Sequence, residues 1–453
     1  MKSPRFWELS AARFHGTLCV MTHARIKSSS MLFLIALVMG PLLVLQIIHG
    51  MALHARAERG NPHVQLEGKT IDDMIAAYMK EHDVSGLTLA IVQAPYITRV
   101  AGYGVVDREV KLLAASNTMF PLPPRFGEAY TAVAVMQLVE GGKLGLDDPI
   151  GKHLPQLPEP WKGLPVRALI LHSSGLPDFT APPDYDSNSN TPADKLIASV
   201  AGQPLAFPTG TQVRPSATNH LVLQMLVEKL SGGSYQAFVR ANQFERLGLK
   251  YTYFSTELGK FPREHLKKDE KHSKFLVEAP QINPIEVAVG YRGAGSTLTA
   301  VPPLNPDGLA LPRGAVIYTS SHDISVWDVG LAGGILIKDP NLRAVIYTPQ
   351  KLADGKEVPT SGPWAFPGRK GLMIAAGTEY GCSAFLSRYT AAEDLLCVTL
   401  QANKEGLDFT ELATKIAGSF DARLLVTTAE PPPAPAEEKK PAAAPKGEQP
   451  KKK

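Results

Sequence analysis

Cysteine is scarce: three residues in 453, at positions 19, 382 and 397. That count excludes a disulfide-stapled scaffold. Cys382 and Cys397 fall on two alternating stretches that read as one hairpin turning near Ala391-Ala392. Its register sets Cys382 near residue 402, several residues from Cys397 and too far for disulfide geometry, so two separate buried thiols are expected. No His/Cys spacing suggests a metal site. Net positive charge is also scarce where a folded body would need it. Of the formal +4, residues 1–30 carry +4 and the tail from Ala429 carries +2, leaving −2 for everything between. Such a body offers no electrostatic surface for nucleic acid.

Long hydrophobic runs are absent but for one. Met31 to Ile48 is eighteen residues without a charge, long enough to cross a bilayer. Basic residues precede it, which predicts a cytoplasmic segment 1–30 and an exported chain beyond. The region 31–53 reads either as a membrane anchor or as a signal-peptide core with a small-residue cleavage site near Ala55-Arg56-Ala57. Cys19 lacks the leucine three residues earlier that lipidation requires. At the other end, 429–453 is a Pro/Ala/Lys/Glu tail that cannot bury enough apolar surface to fold. It reads as a flexible solubilising tail, with contact to anionic wall polymer or phospholipid as the alternative.

The chain as a whole is globular in composition, with 44% hydrophobic and 20% charged residues, and what remains is long enough for a sizeable core. Thr70 to Met79 reads as a helix, followed by two meander strands, GLTLAIVQA and ITRVAGYGVVD. Ala129 to Glu140 predicts a helix buried on nearly all sides, because apolar residues occupy its whole circumference. Gly141-Gly142 supplies its stop. A charged segment, 260–274, reads as exposed, and 293–313 as loop. Ser320 and Ser321 are N-cap candidates, and Phe409 to Leu425 reads as a final helix.

Several motifs stand in fixed order: Phe120, Thr131-Ala132, Gly142-Lys143-Leu144, Leu146-Asp147-Asp148-Pro149, His172-Ser173-Ser174-Gly175-Leu176-Pro177, Gly210-Thr211 and Phe244 to Leu249. Together they resemble the serine β-lactamase and penicillin-binding-protein family, in its class C and DD-peptidase-like branch, over residues 65–425. The resemblance implies an α+β sandwich of the β-lactamase/transpeptidase type. An antiparallel sheet flanked by helices would carry a mainly helical insertion over roughly 115–300. It implies no cofactor and no metal.

The family's chemistry is missing from that frame. Counting back from Thr131, Arg125 stands where the Ser-x-x-Lys serine belongs and Glu128 where its lysine belongs. Phe120 is one residue too far from Thr131, so Pro121 to Pro124 absorb an insertion. A one-residue shift still places no Ser or Lys in 121–129. In the second motif, Pro215 takes the tyrosine position, Ser216 the serine and Ala217 the asparagine. In the third, Ala375-Ala376-Gly377 takes the His-x-Gly position, where the family's cation binds a substrate carboxylate. Proline and alanine can neither shuttle a proton nor orient a substrate. Arg125 and Glu128, three apart in the first turn, are expected to pair across the old site.

Three readings follow. The first is an exported pseudoenzyme at the cell envelope, periplasmic, that binds cell-wall peptide or a small molecule in the former cleft. The second is a serine hydrolase (β-lactamase, esterase or peptidase) with a rearranged site using Ser216 or Ser174, though no general base sits at a readable spacing from either. The resemblance implies that the segment of His172, Ser173 and Ser174 is structural, its side chains fixing a turn beside the site. The third is a structural envelope protein.

Overall fold

Thr70 opens the first helix with a reciprocal cap. Its Oγ1 accepts from the Asp73 N–H at 3.2 Å, and Asp73 Oδ2 accepts from the Thr70 N–H at 3.1 Å. Helix α1 then runs Ile71–Glu81 and buries Ile71, Met74, Ile75 and Tyr78. The structure is a computed structural model. It describes residues 65–94, 96–109, 111–182, 185, 191–258, 287–302, 316–368, 371–390 and 395–425. The expected segments 1–30, 31–53, 260–274 and 429–453 lie outside the described residues. Among the described residues, no helix is long and apolar enough to cross a membrane.

Two meander strands follow α1: β1 (Gly86–Gln93) and β2 (Tyr96–Asp107), with the short β3 (Leu112–Leu113) at the edge. The chain then makes β4 (Met119–Pro121) and enters α2 (Pro124–Glu140). This helix begins earlier than its apolar run suggests, because proline at the first helical position has its φ preset and needs no hydrogen-bond partner. Gly142, at φ +67°, takes the left-handed turn just beyond its end.

Mostly helical elements come next, including α3 (Val166–Ile170) and α4 (Ala217–Ser231). The chain returns through β5 (Thr252–Phe254) and β6 (Ile317–Ser320), which with β4 form a three-stranded sheet in the order β4-β6-β5. Helix α5 (Ser321–Ala332) follows, with Ser320 as its N-cap. The last strands are β7 (Thr360–Ser361), β8 (Trp364–Ala365), β9 (Leu372–Glu379), β10 (Cys382–Tyr389) and β11 (Leu396–Ala402). The large sheet is antiparallel, in the order β7-β8-β9-β10-β11-β1-β2-β3. Cys382 and Cys397 are free and buried, as the hairpin register required.

One face of this sheet is a conventional apolar layer. Ile71 and Ile75 of α1 and Leu412 and Ile416 of α6 (Thr410–Gly418) meet Leu89, Ile91, Val398 and Leu400. Helix α6 is shorter than the expected Phe409 to Leu425. The chain turns after Gly418, and a short 3-10 turn brings Leu425 back over that glycine, where an added Cβ would meet Leu425 Cδ2 at 2.2 Å.

The other face carries a polar seam. Ser321, Ser325 and Asp328, at helical spacing on α5, all point at the sheet. Ser321 Oγ lies 2.7 Å from Thr88 Oγ1 and donates to Gln401 Oε1 at 3.0 Å. Ser325 Oγ lies 3.1 Å from Thr399 Oγ1. Asp328 accepts from Arg388 Nε at 2.8 Å and also from its Nη2. Arg388 is 2% exposed and lies over the Tyr347 ring, 4.6 Å from its centroid. Both charges of this pair are buried, so breaking it strands one of them. Asp328→Ala is expected to lower unfolding free energy by about 3–5 kcal/mol in urea denaturation. The paired replacement Asp328→Leu with Arg388→Met should recover most of that loss. Equal losses from the single and paired changes would overturn this account.

Candidate functional site

The N-terminal turns of α2 form one wall of a cleft of about 180 Å³. Helix α2 contributes Pro124, Gly127 and Glu128, the i, i+3 and i+4 positions of a single face. Helix α4 contributes Ala217, His220 and Gln224, and the end of β9 contributes Glu379 with the adjoining Tyr380. The sheet reaches the helix only because residue 377 is glycine. A Cβ there would lie 2.7 Å from Pro123 Cβ. Ala375, two residues earlier, is 1% exposed and packed in the core, so that strand presents no cation.

Behind Glu128 runs a chain of hydrogen bonds whose direction is fixed at one end. The Leu176 N–H donates to Ser174 Oγ at 3.0 Å, and Ser174 O–H donates to Asn219 Oδ1 at 2.6 Å. Asn219 Nδ2 therefore faces His172 Nδ1, at 3.1 Å, and donates to it. That leaves the imidazole proton on Nε2, which donates to Glu128 Oε2 at 3.0 Å. Ser174, Asn219 and His172 are all buried. His172 holds a left-handed backbone, φ +56°, anchored by its carbonyl accepting from the Arg214 N–H at 2.9 Å.

Burial resists ionisation of Glu128, but the field and hydrogen bond of the His172 ring outweigh it and hold the carboxyl below its ordinary value. On the same wall, burial drives His220 down to about 4 against the pull of Glu128. Its ring is neutral at physiological pH, with Nε2 2.8 Å from Gln224 Nε2. Thr131 Oγ1 lies 2.6 Å from the Tyr235 hydroxyl below.

The residues singled out by sequence are thus distributed unevenly. Glu128, Ala217 and Gly377 meet at the cleft or its edge. Arg125 does not line it, and the expected Arg125–Glu128 pair does not form. Arg125 Nη2 donates to the Gly362 carbonyl at 3.5 Å, while Glu128 takes its partner from His172. The carboxylate on the cleft face is within reach of a buried donor, and the flexible guanidinium on the neighbouring face is not needed there. Pro215 is exposed. Ser216 caps α4, its Oγ accepting from the Thr218 N–H at 3.3 Å. Ser174 spends its hydroxyl on Asn219. His172 fixes its turn, as expected, and its side chain also reaches Glu128. Asn219, His220 and Gln224 also went unremarked. The signal was there: a polar run, Thr218-Asn219-His220, at the head of an otherwise apolar helix. Among the described residues, no group of three His, Cys, Asp or Glu side chains could hold a metal.

The two titrating groups separate by pH. Below 6.5 the unfolded chain takes up a proton that folded His220 refuses until about 4, so stability falls across that window. The stability Glu128 contributes is complete above its ordinary 4.5 and is lost as pH falls further, through its lower folded value. Urea midpoints measured from pH 7 to 4 should fall less steeply in His220→Gln than in the parent chain. Unchanged slope would remove His220 from this account.

The Beta-lactamase family model matches residues 71–406. Protein flp of Staphylococcus aureus (strain MW2) is 23% identical over 217 residues, 47% of this chain and 43% of flp. The chain thus matches less than half the length of that relative. Penicillin-binding protein 4* of Bacillus subtilis (strain 168) is 25% identical over 321 residues, 68% of this chain and 69% of that protein. Among solved structures, FmtA from Staphylococcus aureus superposes with a TM-score of 0.59 at 19% identity, covering 79% of this chain and 90% of FmtA. At that identity the likeness speaks for the fold alone. With the family model spanning most of the sheet, the cleft and the helices between, the chain belongs to the beta-lactamase family.

Proposed function

We propose that this chain is a pseudoenzyme of its family, which binds a ligand or a partner's peptide segment in the cleft without acylating it. One observation carries the reading: the cleft face of α2 presents Pro124, Gly127 and Glu128. Acylation needs a nucleophilic oxygen or sulfur, a base to take its proton and donors for the oxyanion. Proline and glycine supply no nucleophile, and Glu128 is committed to His172. The hydroxyls of Ser174 and Ser216 are engaged in holding loop and helix, and neither residue lines the cleft. The apolar run Met31–Ile48, with basic residues before it, supports an exported domain at the cell envelope. There, cell-wall peptide is a candidate ligand.

Intact-mass analysis of the full-length chain after incubation with penicillin, and separately with a fluorophosphonate, is expected to show no adduct. A stoichiometric adduct with either would overturn the pseudoenzyme reading, and peptide mapping would locate the nucleophile. Arg125→Ser is expected to gain no β-lactam hydrolysis, since position 125 does not line the cleft; hydrolysis by that variant would refute this placement.

A further inference from the structure

A second hollow, of about 630 Å³, lies away from the cleft. It sits where Leu372 and Met373 begin β9, the strand whose other end reaches the cleft. Its size falls in the range of ligand sites, about 300–1,000 Å³. Tyr347, the last residue of a helix Pro340–Tyr347, forms its wall with Pro349, Pro359 and Phe366. Tyr347, Pro349 and Phe366 are half-buried and Pro359 is exposed, so these rings stay partly uncovered. The Tyr347 ring is held from behind by the Arg388 guanidinium and meets Trp364 edge-on. Of the polar lining, Glu357 stands opposite Lys351 on a strand pair, and the Thr390 hydroxyl donates to the Gly371 carbonyl at 2.9 Å. Rings and prolines therefore set the character of this groove.

The sequence supplies an occupant of matching chemistry. Residues 426–453 lie outside the described residues and follow directly on Leu425. They open with Pro431-Pro432-Pro433-Ala434-Pro435, in which Pro432 and Pro435 stand at Pro-x-x-Pro spacing. Proline presets φ near the polyproline II value, and about three residues per turn put Pro432 and Pro435 on one ridge. Grooves lined by aromatic rings take such ridges, and little entropy is lost because the helix is preformed. The tail also leaves the domain on the right face. Leu424, at its root, and Leu372, in the groove, belong to one apolar layer on the sheet. Leu372, Tyr389 and Leu396 form one row across β9, β10 and β11. Helix α6 lies over β11, two strands from β9, which is about 10 Å. Pro432 follows Leu425 by seven residues, which span about 22 Å as polyproline II. The segment can cross that distance.

We propose that the proline segment 431–435 of the chain's own tail docks in this groove, as a polyproline II helix laid on Tyr347, Phe366, Pro349 and Pro359. Tethering makes a weak contact sufficient, because a short link holds the segment at millimolar effective concentration. The site is separate from the cleft and does not depend on whether the cleft acylates a ligand.

The full-length chain carrying Pro432→Ser, Pro433→Ser and Pro435→Ser leaves the groove vacant. Isothermal titration with a synthetic peptide of residues 430–438 is expected to give saturable binding to that variant. The parent chain, whose own segment competes, should bind the peptide at least about fivefold more weakly. Adding Phe366→Ala to the tail variant should abolish peptide binding. Pro359→Ser, at an exposed position, should weaken it in the same direction if the first change unfolds the chain. No binding to the tail variant at millimolar peptide overturns the groove assignment. Equal affinity for parent and tail variant overturns docking within one chain. Concentration-dependent association of the parent in sedimentation, lost in the tail variant, would place the segment on a second copy and likewise overturn it.

Discussion

An ionised carboxylate in a half-closed cleft needs a donor, and the hydrogen bond from His172 to Glu128 supplies it. Much of the site follows from that requirement. The donor must hold its proton on Nε2, so Asn219 must present its amide nitrogen to Nδ1, and Ser174 must be spent on orienting Asn219. The His172 backbone takes a left-handed conformation that costs on the order of 1–3 kcal/mol and persists because its neighbours enforce it. The same residues that a catalytic reading would recruit as nucleophile and base are thereby consumed in supporting a fixed charge. A site built to attack a carbonyl would leave its hydroxyl facing the cleft; here the hydroxyl lies two residues deeper than the imidazole, inside the wall.

The fold was legible in the sequence because its signals are local and redundant. The buried helix of 129–140, the N-cap candidate Ser320 and the alternation of 382–402 each announce an element, and the ordered motifs fix which sheet they build. The site was less legible. Spacing ranks Arg125 as the natural partner of Glu128, because three residues separate them on one helix. It is blind to His172, 44 positions on, whose ring enters only through the fold. Where the helix begins also mattered: starting at Pro124 it turns Pro124 and Gly127 to the cleft with Glu128 and carries Arg125 off that face.

The seam under α5 shows the same economy in a region with no chemistry. A helix almost entirely buried against a sheet would ordinarily use an apolar stripe. Here Ser321, Ser325 and Asp328 meet Thr88, Gln401, Thr399 and Arg388, each bond reachable at one register of helix on sheet. A slide by one turn would bury several of these groups unpaired. The seam fixes where β6 ends, and through β4, its neighbour in the small sheet, where α2 starts. The cleft wall thus stands on a polar layer that tolerates little displacement.

The ladder between β1 and β11 has a further bearing on how the chain reaches this state. Leu89 pairs with Leu400, so the middle of the sheet is completed by residues from opposite ends of the domain. Contacts of such long sequence separation form late and slowly. A ribosome or translocation channel delivering this chain from its N-terminus would release β1 and β2 long before β11 exists to cover them. During that interval a buried-type strand edge stands open to any other chain passing by, an edge prone to intermolecular pairing until β11 covers it.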